Sequence, residues 1–291
     1  MSILFLILSI LPIACSIAVK VLFMPASEGI DISGAYIFFT IDLPFGGLPV
    51  TEAQVNSLAV VISLFFFCLF LTTGLKTKNI SKRQVIAEWI VEKVEGLVNE
   101  SMGEYFKGFA PFIAAILGLS ALSSLQSLFG LYAATSDLNI VAGWAILVFI
   151  LITYYKLKAG PLVYAKGLCE PAFFLAPINV IGEFATPVSM ALRHYGNIIS
   201  GSVISVLVAA ALGGASNLIL GLIPGFTANI PFLRVGIPAI LSIYFDLFSG
   251  CLQAYIFSVL TMLYVSSGFP EDEYFKRKAR KLAKKNKNKT I

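Results

Sequence analysis

Apolar residues along this chain come in long blocks separated by short polar stretches. A bilayer core is crossed by about 20 apolar residues in a helix. Blocks of that length begin near residues 2, 55, 111 and 141, and a longer apolar tract covers 171–268. This tract is broken at Pro224, Gly225 and Pro231, which gives two segments that are each longer than a perpendicular crossing needs. The pattern predicts an all-α integral membrane protein with about five to six membrane helices, the last two long, tilted and paired.

Residues 80–107 show a different pattern, in which apolar and charged residues are interleaved. The apolar positions recur at the helical period of three and four residues. They are Val85, Ile86, Trp89, Ile90, Val94, Leu97 and Val98. This stretch predicts an amphipathic helix that lies on the cytoplasmic surface or against a partner helix.

Charged residues next to the apolar blocks predict the orientation. Basic residues follow the second block at 76–83, the fourth at 156–166 and the last at 276–289, whereas the stretch 25–54 is acidic and contains no Lys or Arg. The positive-inside rule places the basic segments in the cytoplasm. We therefore expect 25–54 to be an acidic external loop and 269–291 to be a basic cytoplasmic tail. The first block, 1–24, has no early basic residue and is long for a signal peptide, so an uncleaved extra span is expected, with a cleaved signal as the alternative.

Composition excludes an ordinary soluble domain, because 58% of the residues are hydrophobic and only 13% are charged. The net charge of +5 comes mostly from the tail, which we expect to face anionic membrane lipids and not nucleic acid. The four cysteines are scattered, without metal-ligand spacing or a disulfide framework. Neither a metal nor a cofactor site is predicted.

The fifth apolar segment carries a one-sided polar stripe. Ionisable residues inside a membrane are expensive, about 2.5–3.5 kcal/mol for a central Arg or Asp, and they mark ion pathways or partners. Glu183 and Arg193 are ten residues apart, about 15 Å along a helix, which is too far for a direct pair. We therefore expect Arg193 to find its partner elsewhere, for example on another chain. The stripe, with steps of three and four, consists of Glu183, Thr186, Ser189, Arg193, Asn197 and Ser200.

The sixth segment carries a second stripe, centred on Asp246. Two antiparallel helices with facing stripes would enclose a hydrated path, in which Asp246 is either a relay carboxylate or a counter-charge to Arg193 or Arg234. The only histidine, His194, lies about 100° around the helix from Arg193, and a hydrogen-bonding role is expected ahead of proton relay. The members of the second stripe are Ser242, Asp246, Ser249 and Gln253.

Two tracts resemble the signature of subunit a of bacterial F-type ATP synthases: 187–197, which reads PVSMALRHYGN, and 252–261, which reads LQAYIFSVLT. The loop 135–139, TSDLN, is similar to that family's loop as well. The resemblance covers roughly residues 38 to 268 and makes 55–268 the membrane domain of such a subunit. It implies a non-catalytic, multi-pass subunit of the Fo sector in the bacterial cell membrane, with the c-ring and the peripheral-stalk subunit b as its partners.

The resemblance also implies residue roles. Arg193 would be the essential arginine, which attracts the deprotonated carboxylate of a c subunit and blocks a leak between two half-channels. Asp246, Gln253 and Ser202 match the outer half-channel, and Ser189 and Asn197 match the inner one, with Glu183 and His194 as further residues of the ion pathway. Three positions depart from the family. Asp246 stands where Glu or His is common, Ser202 replaces a frequent ionisable residue, and His194 replaces an apolar one.

Two other functional classes fit less well. A stand-alone secondary transporter, the alternative function, usually shows internal repeats, and none is found in this sequence. A membrane-embedded enzyme would need a nucleophile, a metal set or paired acidic residues at membrane depth. Whether the ion is a proton or sodium depends mostly on the carboxylate site of the c-ring, which belongs to another chain.

Overall fold

The computed structural model describes residues 2–23, 34–44, 46–78, 80–158, 160–169, 173–220, 236, 240–241 and 243–269. Within these residues, six helical segments are long and apolar enough to cross a membrane. They are Ile3–Leu22, Glu52–Thr72, Glu104–Phe129, Leu138–Lys158, Phe173–Ile219 and Ile243–Ser267. The prediction of an all-α membrane protein is confirmed. The basic tail, Arg234 and Ser242 lie outside the described residues.

The elements are numbered here in chain order. The α-helices are α1 (Ser2–Phe23), α2 (Glu52–Thr72), α3 (Lys82–Met102), α4 (Ala110–Leu125), α5 (Leu138–Lys158), α6 (Pro161–Leu168), α7 (Ala176–Leu220) and α8 (Gly250–Ser267). Short 3-10 turns cover Glu104–Phe109, Gln126–Phe129, Ala134–Ser136 and Phe173–Leu175. A π-helix, Ile243–Ser249, leads directly into α8.

The stretch 25–54, expected to be a loop, contains a β-hairpin. Strand β1 (Ile37–Leu43) pairs antiparallel with β2 (Gly46–Thr51), and Gly46 has a φ of 128°, a backbone conformation that glycine adopts without strain. Thr51 then caps α2 reciprocally with Gln54, each side chain accepting a hydrogen bond from the other's backbone N–H. Because of this cap, α2 begins at Glu52, three residues before the predicted start.

Helix α1 packs along α2 in the opposite direction. Phe5 stacks on Phe66 at 6.4 Å between ring centroids, and Lys20 Nζ lies 3.2 Å from Glu52 Oε1 at the other end of the pair. The same Glu52 oxygen accepts the backbone N–H of Tyr132 at 3.2 Å. Glu52 was assigned to the external loop, but it is buried at the start of α2 and joins α1, α2 and the segment after α4.

Helix α3 forms where the amphipathic helix was predicted, but its two halves differ. Val98 and Met102, near its C-terminus, are buried in the main core beside Phe106 and the end of α8. Apolar residues of its first half, including Trp89, are more than one-third exposed on this chain. These are Val85, Ile86, Trp89 and Ile90.

The core is built where α8 crosses α4 and α5. It contains Ile113 of α4, Val148 of α5, and Phe257 and Met262 of α8, all almost fully buried. At the start of α8, a Cβ on Gly250 would lie 2.7 Å from the Ser124 Cβ, closer than real Cβ atoms approach. Glycine at position 250 therefore fixes the approach of α8 to α4.

We expect Gly250→Ala to destabilise the protein by about 1–3 kcal/mol, because the added methyl group must push α8 away from α4. The matched control is Gly143→Ala in α5, where a Cβ meets nothing within 4 Å and alanine favours the helix. The midpoint of thermal unfolding in detergent is measured for both variants. Equal midpoints would contradict the close approach at Gly250.

Candidate ion-translocation site

The two polar stripes meet where α7 packs against the π-helix. Asn197 Nδ2 donates a hydrogen bond to Ser249 Oγ at 3.0 Å. One turn further along α7, a Cβ on Gly201 would lie 3.2–3.3 Å from Phe245. Since residue numbers rise along α7 while they fall along its neighbour, the two segments run in opposite directions at this contact. A small residue at position 201 permits this close packing.

Asp246 lies within the π-helix, one turn before Ser249, and is half-buried. A π-helical turn is rare and is often found at functional sites. The register set by Asn197 and Gly201 places Asp246 near the height of Ser200 on α7. Ser202 is exposed, and its hydroxyl donates to the Ile199 carbonyl oxygen at 2.9 Å. The structure thus places Asp246 beside α7.

Arg193 is exposed on α7, as is Ser189 one turn before it. Among the described residues, no carboxylate lies within 4.0 Å of the Arg193 guanidinium. The same helix register places the buried Gln253 at the height of Arg193. Glu183 does not pair with Arg193, as expected from their separation along α7.

His194, about 100° around α7 from Arg193, is turned into the core. It is fully buried, its Nε2 lies 3.3 Å from Ser120 Oγ, and its ring meets Trp144 and Phe257 edge-on. Within the described part of the chain, His194 Nδ1 has no hydrogen-bond partner. The structure thus places His194 in the core, within hydrogen-bonding distance of Ser120.

Glu183 lies in a cavity of about 690 Å³ between α5, α6, α7 and the end of α8. Its Oε1 accepts a hydrogen bond from Lys156 Nζ at 2.6 Å, and its Oε2 accepts one from the Tyr164 hydroxyl. Burial, and then the hydrogen bond to Glu183 and its negative charge, raise the pKa of Tyr164 to about 12. Tyr164 therefore keeps its proton, and remains a donor to Glu183, throughout the physiological range.

Lys156 and Tyr164 were not recognised as site residues from the sequence. Lys156 was interpreted only as a marker of orientation, and the short helix α6 that carries Tyr164 was not predicted. Elsewhere among the described residues, no group of three His, Cys, Asp or Glu side chains could hold a metal ion.

Comparison with known proteins identifies the family. The family model for the ATP synthase A chain matches residues 55–266. The chain belongs to this family. ATP synthase subunit a of Legionella pneumophila strain Philadelphia 1 is 28% identical over 230 residues, which cover 78% of this chain and 90% of that protein. Subunit a of Bacillus pumilus is 31% identical over 237 residues, which cover 76% of this chain and 93% of that protein.

A third relative, from Propionigenium modestum, is named ATP synthase subunit a, sodium ion specific. It is 30% identical over 255 residues, which cover 78% of this chain and 77% of that protein. Membership of the subunit a family makes this chain a multi-pass component of the Fo sector of ATP synthase. The family match runs from α2 to α8 and includes every candidate site residue, whereas α1 and the β-hairpin precede it.

We expect Ser120→Ala to lower the thermal midpoint of this ATP synthase subunit, because it leaves the buried His194 ring without its hydrogen-bond partner. An unsatisfied buried polar group costs about 1–3 kcal/mol, whereas replacing both partners by apolar groups can be nearly neutral. The double variant Ser120→Ala/His194→Leu should therefore recover stability. Ser267→Ala, at an exposed serine, is the control. A double variant less stable than Ser120→Ala would contradict this account of His194.

Proposed function

We propose that this chain is the ion-translocating subunit of its ATP synthase, in which Arg193 faces the c-ring and couples ion flow to ring rotation. The observation that carries the proposal is the exposed arginine on α7 with no carboxylate within salt-bridge distance among the described residues. A central arginine in a membrane costs about 2.5–3.5 kcal/mol on insertion scales, so it needs a partner or a water-filled path. A carboxylate on each passing c subunit supplies that partner in turn.

Two half-channels lead to the ring on either side of Arg193. In the outer one, Asp246, Gln253 and Ser202 line a path along the π-helix and the start of α8. The half-buried position of Asp246 beside α7 supports its role as a relay carboxylate. In the inner one, Ser189 and Asn197 adjoin Arg193, and Glu183 lies further along α7. Arg193 prevents ions from passing directly between the two paths, because a fixed positive charge repels them.

The basic ends of α2 and α5 face the cytoplasm of a bacterial cell, and the C-terminus lies on the same side. The exposed first half of α3, with Trp89 and Ile90, rests on the cytoplasmic surface of the membrane. The c-ring covers the Arg193 face of α7, and subunit b of the peripheral stalk is the second protein partner. The transported ion is a proton or sodium, and the chain has no catalytic centre of its own.

We expect Arg193→Ala to abolish ATP-driven ion uptake by inverted membrane vesicles, since the ring carboxylate then loses its attracting charge. Arg193→Lys keeps the charge but lacks the planar fork of donors, and should restore only part of the uptake. Immunoblots verify that the complex is assembled. Unchanged uptake by an assembled Arg193→Ala complex would reject the proposed function.

Asp246→Asn tests the outer half-channel separately. The amide cannot exchange a proton or offer a full negative charge, so uptake should fall while assembly is preserved. Asp137→Asn, in the turn before α5, is a control because its carboxylate caps the backbone N–H of Asn139 at 2.9 Å. The measurement is again ATP-driven uptake. Equal uptake by Asp246→Asn and wild type would remove Asp246 from the ion pathway.

A further inference from the structure

The cavity beside Glu183 is large enough to admit water and brings three polar groups together. Its volume of about 690 Å³ lies between parts of four helices and is open to the surroundings. A water molecule needs only about 10–15 Å³ of such space, so the cavity can admit several. A carboxylate, an ammonium group and a phenol converge on its wall, from Glu183, Lys156 and Tyr164.

These three groups are held in place by their surroundings. The Lys156 stem lies against the end of α8, where a Cβ on Gly268 would come within 3.1 Å of Lys156 Cγ and Cε. The side chains of Lys156 and Glu183 are only 26% and 16% exposed, so their ion pair is partly desolvated. The attraction between two partly buried charges is screened less than that of an exposed pair, and removing one member leaves an uncompensated charge.

The cavity also lies in line with the exposed stripe of α7. Its wall includes Glu183 and Thr186, and Ser189 and Arg193 follow at helical spacing. Glu183 is ten residues, about 15 Å of helix, from Arg193. At its other end the cavity reaches the last turn of α5 and helix α6, where Lys156, Lys158 and Lys166 are found. The cavity thus extends from the basic side of the protein toward Arg193.

Under the proposed function this cavity is the cytoplasmic vestibule of the inner half-channel. We infer that the Lys156 ammonium gates it, by competing with the incoming cation for the Glu183 carboxylate. The inference rests on the proposed function and adds a gate to it. A monovalent cation that reaches Glu183 takes the place of Lys156 at Oε1. A proton adds to the carboxylate oxygen and a sodium ion is coordinated by it, while Lys156 keeps its three protons. When the cation moves on, the ion pair forms again.

Lys156 and Tyr164 act as positioning residues. The Tyr164 hydroxyl holds Oε2, which leaves Oε1 as the oxygen that exchanges partners. Lys156 keeps the vestibule electrically neutral between transfers. If Lys156 were absent, the unpaired Glu183 carboxylate would retain the cation. Without Glu183, the unpaired ammonium would repel every cation that enters.

Thiol labelling tests the vestibule directly. In a chain whose four cysteines are replaced by serine, Thr186→Cys should react with a charged methanethiosulfonate added to the cytoplasmic face of the assembled complex. The control is Ile181→Cys, which is exposed on α7 but does not line the cavity, and which should react slowly because its thiol faces lipid. Reaction of Thr186→Cys from the opposite face only, or from neither face, would overturn the inference.

The gate is tested by ATP-driven uptake of protons and, in parallel, of sodium-22. Glu183→Gln should reduce uptake about tenfold or more, which corresponds to ~1.4 kcal/mol or more. Lys156→Gln should also reduce it, and Lys156→Arg should restore a large part, because the charge is retained. The matched control is Lys158→Gln, since Lys158 lies over the rings of Tyr105, Tyr154 and Tyr155 and outside the cavity. Equal uptake by Lys156→Gln and Lys158→Gln would overturn the gate.

Arg193→Ala is measured in the same preparation. Loss of uptake in Arg193→Ala with normal uptake in Glu183→Gln rejects the gate alone, whereas normal uptake in Arg193→Ala rejects the proposed function. If Lys156→Gln prevents assembly, the thiol experiment decides, because it leaves Lys156 in place. The ion whose uptake responds to Glu183→Gln distinguishes a proton from a sodium path.

Discussion

The cost of placing charge in a bilayer governs the arrangement of this subunit. Helix α7 carries two opposite charges, and they differ in whether the chain itself supplies a partner. Glu183 has both carboxylate oxygens bonded, to Lys156 and Tyr164, whereas Arg193 has no carboxylate partner among the described residues. A charge that is satisfied within the chain can stabilise the fold, but an unsatisfied one is stable only beside water or another subunit. Helix α7 is therefore both a structural element and a surface for a partner.

Close helix packing keeps these charges at fixed heights. Three glycines allow close packing: Gly201 against Phe245, Gly250 against Ser124, and Gly268 against the Lys156 stem. Each contact joins a different pair of elements, so together they position α7, the π-helix, α8 and the end of α5 relative to one another. Since apolar residues gain little by leaving lipid, such close contacts and interhelical hydrogen bonds are the main forces that order membrane helices. The polar site thus depends on glycines that carry no chemistry themselves.

The sequence predicted the helical class and the tracts around Arg193 and Gln253, because block length, helical spacing and motif are local properties. It did not predict the β-hairpin, whose second strand contains two glycines and a proline, or α6, which spans only eight residues. Contacts between distant residues were missed for a different reason. Lys156 and Glu183 are 27 positions apart and meet only after α5, α6 and α7 have packed. Orientation rules explain why lysines follow α5, but they do not indicate which lysine turns back into the protein.

His194 shows that residues adjacent in sequence can have very different surroundings in a helix. It follows Arg193 directly and is the only histidine, so it invites assignment to the ion pathway. The helix turns it into the core, where it bonds Ser120 between the rings of Trp144 and Phe257. A side chain buried and bonded in this way is suited to hold α7 against α4, and it thereby fixes the direction in which Arg193 points.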